Sequence, residues 1–329
     1  MKTMKEIAKI AGVSQSTVSR VINNNPNVDP EIRKKVLEYV KRYNYKPNRV
    51  AQSLVSNKSF LIGIILPEIS NPYFPEILEA IEEEANRYKY NIVLSTTNGN
   101  LQREKEQIEM LLSRRVDGLI INPTDLSNVE HIEKIKKILP VVICAQDLKD
   151  FDFVSVDHYL AGKIVAKYLI NKGHINIGYI GYWKDKKFTG FYEEILYNGL
   201  KFDQRNHLME PKQMYEFSEE DANELIKKIE RHKISAIYTT NDIFATRILN
   251  NLQRHNIQVP KEVAVIGFDN TLLCNLTNPP LTSVAQPTME IGSKCTDILI
   301  KKIEDKSSEN EGKLEQIFLP PRLVIRESA

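Results

Sequence analysis

Residues 7–22 read IAKIAGVSQSTVSRVI, and this stretch decides the fold of the amino-terminal part of the chain. Apolar side chains before the glycine recur at helical spacing and predict one buried helical face. They are Met4, Ile7, Ala8 and Ala11. Gly12 adopts a positive φ at little cost and therefore ends this helix. Ser14 is a good cap for a second helix, whose inward-facing residues are Val18, Val21 and Ile22.

A third helix is expected to begin at Asp29-Pro30, because proline is favoured at the first helical position. Its apolar residues are predicted to complete a small core, and they are Ile32, Val36, Leu37, Val40 and Tyr43. Two short helices that are joined by a glycine turn and braced by a third form a helix-turn-helix. The same pattern also allows an ordinary three-helix bundle with a polar surface.

The outer face of the second helix carries amide, hydroxyl and guanidinium groups, which suit the major groove of DNA. Gln15 and Ser16 lie at the start of this helix and are the expected base readers. Arg20 can make a bidentate contact with guanine. Three further polar residues suit phosphate oxygens: Ser14, Thr17 and Asn23.

Charge is divided unevenly along the chain. The first 58 residues hold twelve Lys and Arg against four Asp and Glu, a net charge of +8, so the remaining residues carry −6 of the overall +2. A basic head on an acidic body indicates a polyanionic partner. The simpler alternative is that the positive charges only form a solvated helical surface.

Residues 7–14 and 16–23 resemble the DNA-binding head of the lactose/purine repressor family of bacterial transcriptional regulators. Residues 45–54, YKPNRVAQSL, resemble the hinge helix of that family. Pro47 blocks continuation of the preceding helix, and Asn48 can cap a new one. Two helical turns are too short to be stable alone in water, so we expect the hinge to fold only on DNA.

The resemblance implies a binding mode for the hinge. Paired hinge helices from two subunits would enter the minor groove, where Leu54 would insert into a base step and kink it. The hinge would add four other contacts to double-stranded operator DNA, from Tyr45, Asn48, Ala51 and Gln52. No heptad segment follows Leu319, so we expect a two-fold homodimer.

From Phe60 onward, apolar runs of strand length alternate with amphipathic helical stretches. This alternation predicts an α/β fold in which parallel sheets are covered by helices on both faces. The runs are Leu61–Leu66, Ile92–Leu94, Gly118–Ile121, Val141–Cys144, Ile177–Ile180, Ala236–Tyr238 and Val263–Phe268. Ligands of such sheets bind beyond the carboxyl ends of the strands.

The resemblance implies that the body is a periplasmic-binding-protein-like (type I) core with two subdomains. We expect a head at 1–46 and a hinge at 47–58. The amino-terminal effector-binding subdomain would comprise 59–157 and 288–319, and the carboxyl-terminal one 158–287 and 320–329.

The cleft between these subdomains is expected to bind a small-molecule effector, a sugar or a sugar phosphate. By resemblance, Asp242 accepts hydrogen bonds from the ligand and Phe217 stacks on it. The other expected contacts are Asn71, Tyr73, Phe74, Asn122, Lys187 and Gln286. Alternatively, the aromatic residues pack in the core, and the two asparagines cap helices.

Two positions depart from the family pattern. Lys187 stands where the family usually has an arginine, and a lysine cannot make the planar two-pronged contact. Ala145-Gln146 replaces a frequent Asp-Arg pair. Two interpretations follow: Lys186 and Lys187 serve a phosphorylated ligand, or the pocket is degenerate. A catabolite-control regulator with a phosphorylated carrier protein as corepressor is the alternative function.

Other functional classes lack support in the sequence. It contains no glycine-rich nucleotide loop, phosphate loop or Gly-x-Ser-x-Gly elbow, so an α/β enzyme is a remote alternative. The six histidines and three cysteines show no metal spacing, and we expect neither metal nor cofactor. The absence of a membrane span, signal peptide and disulfide framework predicts a cytoplasmic protein.

Overall fold

The computed structural model describes residues 2–22, 24–45, 58–203, 205–210, 217–305 and 313–329. The chain divides into two compact units, Met1–Phe60 and Leu61–Ala329, and each is described by itself. Within those described ranges, no helix is long and apolar enough to cross a membrane.

The first unit contains three helices: α1 (Met4–Ala11), α2 (Gln15–Ile22) and α3 (Pro30–Arg42). Thr3 and Glu6 form a capping box at the start of α1, and Gly12 ends that helix at a φ of 67°. Asp29 caps α3, whose first residue is proline. The helix-turn-helix order predicted from the sequence is confirmed.

The core of the head contains fewer residues of α3 than the sequence pattern predicts. Ile7, Ala11 and Val18 are fully buried, and Val36 is buried from α3. The prediction that Ile32 and Leu37 complete this core is wrong, because their side chains are 36% and 45% exposed. Leu37 lies about 100° around α3 from Val36, and Ile32 lies in the first turn of the helix. The core-facing stripe of α3 is continued by Val40 and Tyr43.

The first sheet of the second unit has the strand order β11-β5-β4-β3-β1-β2, with all pairs parallel. Its strands are β1 (Leu61–Leu66), β2 (Asn91–Thr96), β3 (Gly118–Ile121), β4 (Val141–Cys144), β5 (Asp152–Val156) and β11 (Gln316–Leu319). Its helices are α4 (Tyr73–Arg87), α5 (Leu101–Ser113), α6 (Glu130–Lys136) and α11 (Thr288–Glu304).

The second sheet has the order β12-β10-β9-β8-β6-β7, and only β12 runs antiparallel to its neighbour. Its strands are β6 (Ile177–Ile180), β7 (His207–Met209), β8 (Ala236–Thr239), β9 (Ala264–Asp269), β10 (Thr282–Ala285) and β12 (Arg322–Val324). Its helices are α7 (His158–Asn171), α8 (Lys186–Tyr197), α9 (Glu219–His232) and α10 (Asp242–Arg254).

The two parallel sheets confirm the α/β fold predicted from the alternation of apolar runs and helices. Every residue of β4, β6 and β8 is buried, as expected for strands that are covered on both faces. The loops at the carboxyl ends of the strands carry most of the predicted effector contacts, so this topology positions the candidate site.

A close crossing of α7 and α8 positions the part of the candidate site that lies beside the second sheet. A side chain at Gly162 of α7 would overlap the backbone carbonyl of Lys187, and one at Gly190 of α8 would overlap the carbonyl of Tyr159. The two glycines therefore allow the backbones of α7 and α8 to approach closely. This contact places the first turn of α8, with Lys187, beside the start of α7.

Candidate functional site

The exposed face of α2 presents Gln15, Ser16 and Arg20 to solvent. Within the described part of the head, no hydrogen bond or ion pair engages the side chain of Gln15 or Arg20. Ser14 caps the helix, because its Oγ accepts a hydrogen bond from the Thr17 backbone N–H at 3.1 Å. The Thr17 hydroxyl lies 2.8 Å from the same oxygen. The face thus offers amide, hydroxyl and guanidinium groups for an external partner.

Arg33 holds the loop between α2 and α3. Its Nη1 donates to Oδ1 of Asn24 at 3.1 Å, and its Nη2 donates to the backbone carbonyl of Asn25. Arg33 entered the sequence prediction only as a positive charge. The structure shows that this guanidinium also fixes the path of the chain directly after α2.

Tyr45 is one predicted DNA contact that the structure places in the interior of the head. Its side chain is buried, its backbone N–H donates to the Val40 carbonyl at 2.9 Å, and burial raises its pKa. Five other predicted DNA contacts lie outside the described residues: Asn23, Asn48, Ala51, Gln52 and Leu54.

A buried polar network joins loops of the two sheets in the second unit. The Asn71 amide, after β1, donates to Oδ2 of Asp269 at the end of β9, with a distance of 3.3 Å. The Gln286 amide, after β10, donates to the other Asp269 oxygen at 2.8 Å. The Tyr73 hydroxyl donates to Oε1 of Gln286 at 3.0 Å. The structure thus brings together three of the predicted effector contacts, namely Asn71, Tyr73 and Gln286.

Asp269 stands at the centre of this network and was not among the residues predicted from the sequence. Its backbone has a φ of 104°, a strained value for a residue with a side chain. Burial and the nearby Asp242 carboxylate raise the pKa of Asp269 to about 8. An available sequence signal was the acidic residue directly after the apolar run of β9, at the strand end where ligands bind.

Lys187 lies in the first turn of α8 and is buried. Its ammonium donates to the Thr240 carbonyl at 2.9 Å and lies 3.3 Å from Oδ2 of Asp185. It also stands 4.2 Å from the ring centroid of Phe268. The neighbouring Lys186 forms an ion pair with Asp147, which follows β4 of the first sheet.

Asp242 begins α10 and is completely buried. One carboxylate oxygen accepts from the Thr271 backbone N–H at 2.7 Å and from the Thr271 hydroxyl at 3.0 Å. The other accepts from the Ser283 hydroxyl at 2.6 Å. Burial raises the pKa of Asp242, and these donors oppose that shift. A ligand would therefore have to compete with three protein donors for this carboxylate.

Three predicted effector contacts remain, and none of their side chains is hydrogen-bonded within this network. The Asn122 amide is buried and donates to the Cys144 carbonyl at 2.8 Å. The ring of Phe74 packs edge-on against Tyr73, with centroids 5.1 Å apart. Phe217 is partly buried against the core that α9 and α10 form on one side of the second sheet.

Two sequence families match this chain. Residues 3–48 match "Bacterial regulatory proteins, lacI family", and residues 166–329 match "Periplasmic binding protein-like domain". The chain is 34% identical over 335 residues to catabolite control protein A of Priestia megaterium, covering 99% of this chain and 98% of that protein. It is 32% identical over 341 residues to the repressor PurR of Pasteurella multocida, with coverages of 100% and 98%.

Solved structures show the same fold. The lac repressor dimer bound to operator and the anti-inducer ONPF gives a TM-score of 0.85 at 25% identity, covering 99% of this chain and 98% of that one. The transcription regulator CcpA of Lactococcus lactis gives a TM-score of 0.71 at 26% identity, with coverages of 82% and 98%. The homologues are regulators and not enzymes. The chain belongs to the lacI family of bacterial regulatory proteins and is a DNA-binding transcriptional regulator.

Proposed function

We propose that this regulator is a cytoplasmic homodimer that represses carbohydrate-utilisation genes. Two heads bind the half-sites of a pseudo-palindromic, double-stranded operator, and the hinge at 47–58 folds in the minor groove between them. The observation that supports the DNA contacts is the exposed face of α2, which presents Gln15, Ser16 and Arg20 to solvent. Within the described head, the side chains of Gln15 and Arg20 have no hydrogen-bond or ion-pair partner.

The DNA-contacting residues fall into two groups in this proposal. On the head, Gln15, Ser16 and Arg20 read bases. Phosphate and hinge contacts come from Ser14, Thr17, Asn23, Asn48, Ala51, Gln52 and Leu54. Because Tyr45 is buried in the head, its contribution is to support the chain that leads into the hinge.

We propose that the body consists of two subdomains, 59–157 with 288–319 and 158–287 with 320–329, which follow the head at 1–46. Strand pairing supports this division. Strand β11 pairs with β5 in the first sheet, whereas β12, three residues further along the chain, pairs with β10 in the second sheet.

The cleft between the subdomains binds the effector, a sugar or sugar phosphate. The observation that supports this site is the network of Asn71, Tyr73, Asp269 and Gln286, because it joins the two sheets through groups that hydroxyls can replace. The other proposed contacts are Phe74, Asn122, Lys187, Phe217 and Asp242. An effector changes operator affinity only through its preference for one subdomain arrangement.

Operator binding of the full-length protein tests this function. The protein would first be used to select sites from random duplex DNA, and fluorescence anisotropy would then be measured on the selected site with and without each member of a sugar panel. We expect a pseudo-palindromic site and at least one sugar that changes the dissociation constant. Selection of unrelated sequences would contradict the operator assignment.

A second candidate function is favoured by the similarity to catabolite control protein A of Priestia megaterium. In this alternative, the corepressor is a phosphorylated carrier protein and the cleft has no decisive ligand. The two functions differ in a direct measurement, because a carrier protein would raise operator affinity in its phosphorylated form only. The sugar panel would then leave both the operator affinity and the melting temperature unchanged.

A further inference from the structure

We infer that Arg33 of α3 is a positioning residue for the reading of DNA. It holds the carboxyl-terminal end of α2, and with it Arg20, at the geometry that contact with a base requires. This inference rests on the base-reading role proposed above for Arg20 and goes beyond it, because it assigns a function to a residue on another helix. Three observations carry it: the way in which α2 ends, the two bonds of the Arg33 guanidinium and the anchoring of α3.

Helix α2 ends in a turn that contains two asparagines. The Asn25 N–H donates to the Arg20 carbonyl at 2.9 Å, and the Asn24 N–H donates to the Val21 carbonyl at 3.1 Å. Asn24 has a φ of 56°, in the left-handed region. These features form a Schellman motif, in which N–H groups after a helix satisfy the carbonyls of its last turn. The backbone of Arg20 is therefore bonded directly to Asn25.

Arg33 binds both asparagines of this motif from the neighbouring helix. Its Nη1 donates to Oδ1 of Asn24 at 3.1 Å, and its Nη2 donates to the Asn25 carbonyl. The donors of a guanidinium form a rigid planar fork, so two bonds fix both the position and the orientation of what they hold. The positive charge also interacts favourably with the dipole at the carboxyl-terminal end of α2. A chain of hydrogen bonds thus runs from Arg33 through Asn25 to the backbone of Arg20.

Helix α3 gives the guanidinium a fixed base. Asp29 caps the helix, with its Oδ1 accepting from the N–H groups of Glu31 and Ile32 at 2.9 and 3.1 Å. Val36 lies three residues after Arg33, on the same side of the helix, and is completely buried in the core of the head. The side chain of Arg33 therefore starts beside the core-facing stripe of a helix that is held at its first turn and at its centre.

Helix α2 is too short to hold Arg20 in place by itself. It has eight residues, fewer than an isolated helix needs for stability in water, and its buried residues are Val18 and Val21. Arg20 lies in the last turn, and its side chain is exposed. The place of its guanidinium therefore depends on the backbone of that turn, which the Schellman motif and Arg33 fix.

The two kinds of DNA contact differ in how much they depend on this geometry. A group that reads a base has to be held within about 0.5 Å of its productive position. Attraction to the phosphate backbone is electrostatic, independent of sequence and tolerant of small shifts. Loss of Arg33 should therefore weaken binding to the operator more than binding to random DNA.

The test uses the full-length protein and measures its dissociation constants on the selected operator and on random duplex DNA of the same length. The specificity ratio, random over operator, does not depend on the fraction of folded heads, because an unfolded head is lost from both measurements. The variants are Arg33→Ala, Arg33→Lys and Asn24→Gly, and glycine keeps the positive φ at this position. Lys34→Ala is the matched control, because it removes the same charge from the adjacent, exposed position of α3.

We expect Arg33→Ala to lower the specificity ratio about three- to tenfold, since hydrogen bonds to a charged group contribute effects of this size to an equilibrium constant. Arg33→Lys should restore little of this loss, because lysine keeps the charge but cannot make the two-pronged contact. Asn24→Gly should also lower the ratio, and it should do so less in an Arg33→Ala background than in the wild type. Lys34→Ala should leave the ratio unchanged.

A direct phosphate contact by Arg33 would give a different result. Arg33→Ala would then weaken operator and random DNA by the same factor, and the slope of log affinity against log salt concentration would fall by about 0.9. That result would overturn the inference, as would an equal loss of specificity in Lys34→Ala. Full recovery in Arg33→Lys would overturn it too, because the effect would then come from charge alone.

Arg20→Ala on the same two DNAs separates these failures from a failure of the proposed function. If Arg20→Ala leaves the specificity ratio unchanged, the base-reading role of Arg20 is wrong, and the inference that rests on it is wrong as well. If Arg20→Ala lowers the ratio and Arg33→Ala does not, only the positioning role of Arg33 is refuted.

Discussion

The amide of Asn71 and the carboxyl of Asp269 are 3.3 Å apart, although 198 residues separate them along the chain. Asn71 follows β1 of the first sheet, and Asp269 ends β9 of the second. This hydrogen bond therefore links the two parallel-sheet layers at the carboxyl ends of their strands. Any ligand that inserts at this point changes how the layers are held together, which is the physical basis of the proposed control.

Loss of the Asn71 amide should destabilise the second unit. Asn71→Ala removes the donor to Asp269 and the acceptor of the Tyr73 backbone N–H, both of which are buried. We expect a loss of about 1–3 kcal/mol in the free energy of unfolding, measured by urea denaturation. Asn128→Ala, in an exposed loop, is the control and should change stability by less than about 0.5 kcal/mol. Equal effects of the two substitutions would show that the network contributes nothing.

The pH dependence of stability should contain a contribution from Asp269. Its pKa is about 8 in the folded protein against an ordinary value of 3.8, so the folded state binds more protons between these values. Stability from this group is therefore present below the ordinary pKa and is lost as the pH rises toward the folded pKa. Asp269→Asn imitates the protonated carboxyl and should flatten the decline of stability between those limits. Parallel stability profiles of wild type and variant would contradict the raised pKa.

Arg20 should contribute to the recognition of operator sequence. If its guanidinium reads a base, Arg20→Ala should cost about 1–3 kcal/mol of binding free energy at the selected operator and less on random DNA. Arg87→Ala, on the exposed surface of α4, removes the same charge outside the head and should leave both affinities unchanged. An equal loss on operator and random DNA would identify Arg20 as a phosphate contact.

The helix crossing beneath Lys187 should not tolerate a side chain. Gly190→Ala would place a methyl group against the Tyr159 carbonyl and force α7 and α8 apart. We expect destabilisation of about 1–3 kcal/mol or more, read from the midpoint of urea unfolding. Thr189→Ala changes the adjacent exposed position and is the control. A Gly190→Ala protein as stable as the control would mean that the two helices are not closely packed.

Local signals explain why the head was predictable from sequence. Gly12 ends a helix, and Asp29 and Pro30 begin another. In the second unit, the alternation of apolar runs with helices specifies parallel sheets. The exposure of Leu37 was not predicted, because an apolar residue next to the core-facing stripe of a helix is buried only if another element covers it, and the sequence does not show this.

The candidate site was less predictable than the fold, because its residues meet through long-range contacts. Asp242 matches a family pattern, but its three protein donors come from Thr271 and Ser283, which sequence spacing does not bring together. Asp269 was missed for the same reason, since its partner Asn71 lies in the other sheet layer. Lys187 was identified as a position, but its partners, which decide its chemistry, became visible only in the fold.

The most direct test of the proposed control is the operator affinity of the full-length protein, measured by fluorescence anisotropy with and without a sugar that binds the cleft. Coupling energies between sites are commonly about 1–3 kcal/mol, so the account predicts a change of about fivefold or more in the dissociation constant. A version that lacks residues 1–57 should bind the sugar but no DNA. Operator affinity that is the same with saturating sugar, or operator binding by the shortened protein, would contradict the coupling of head and cleft.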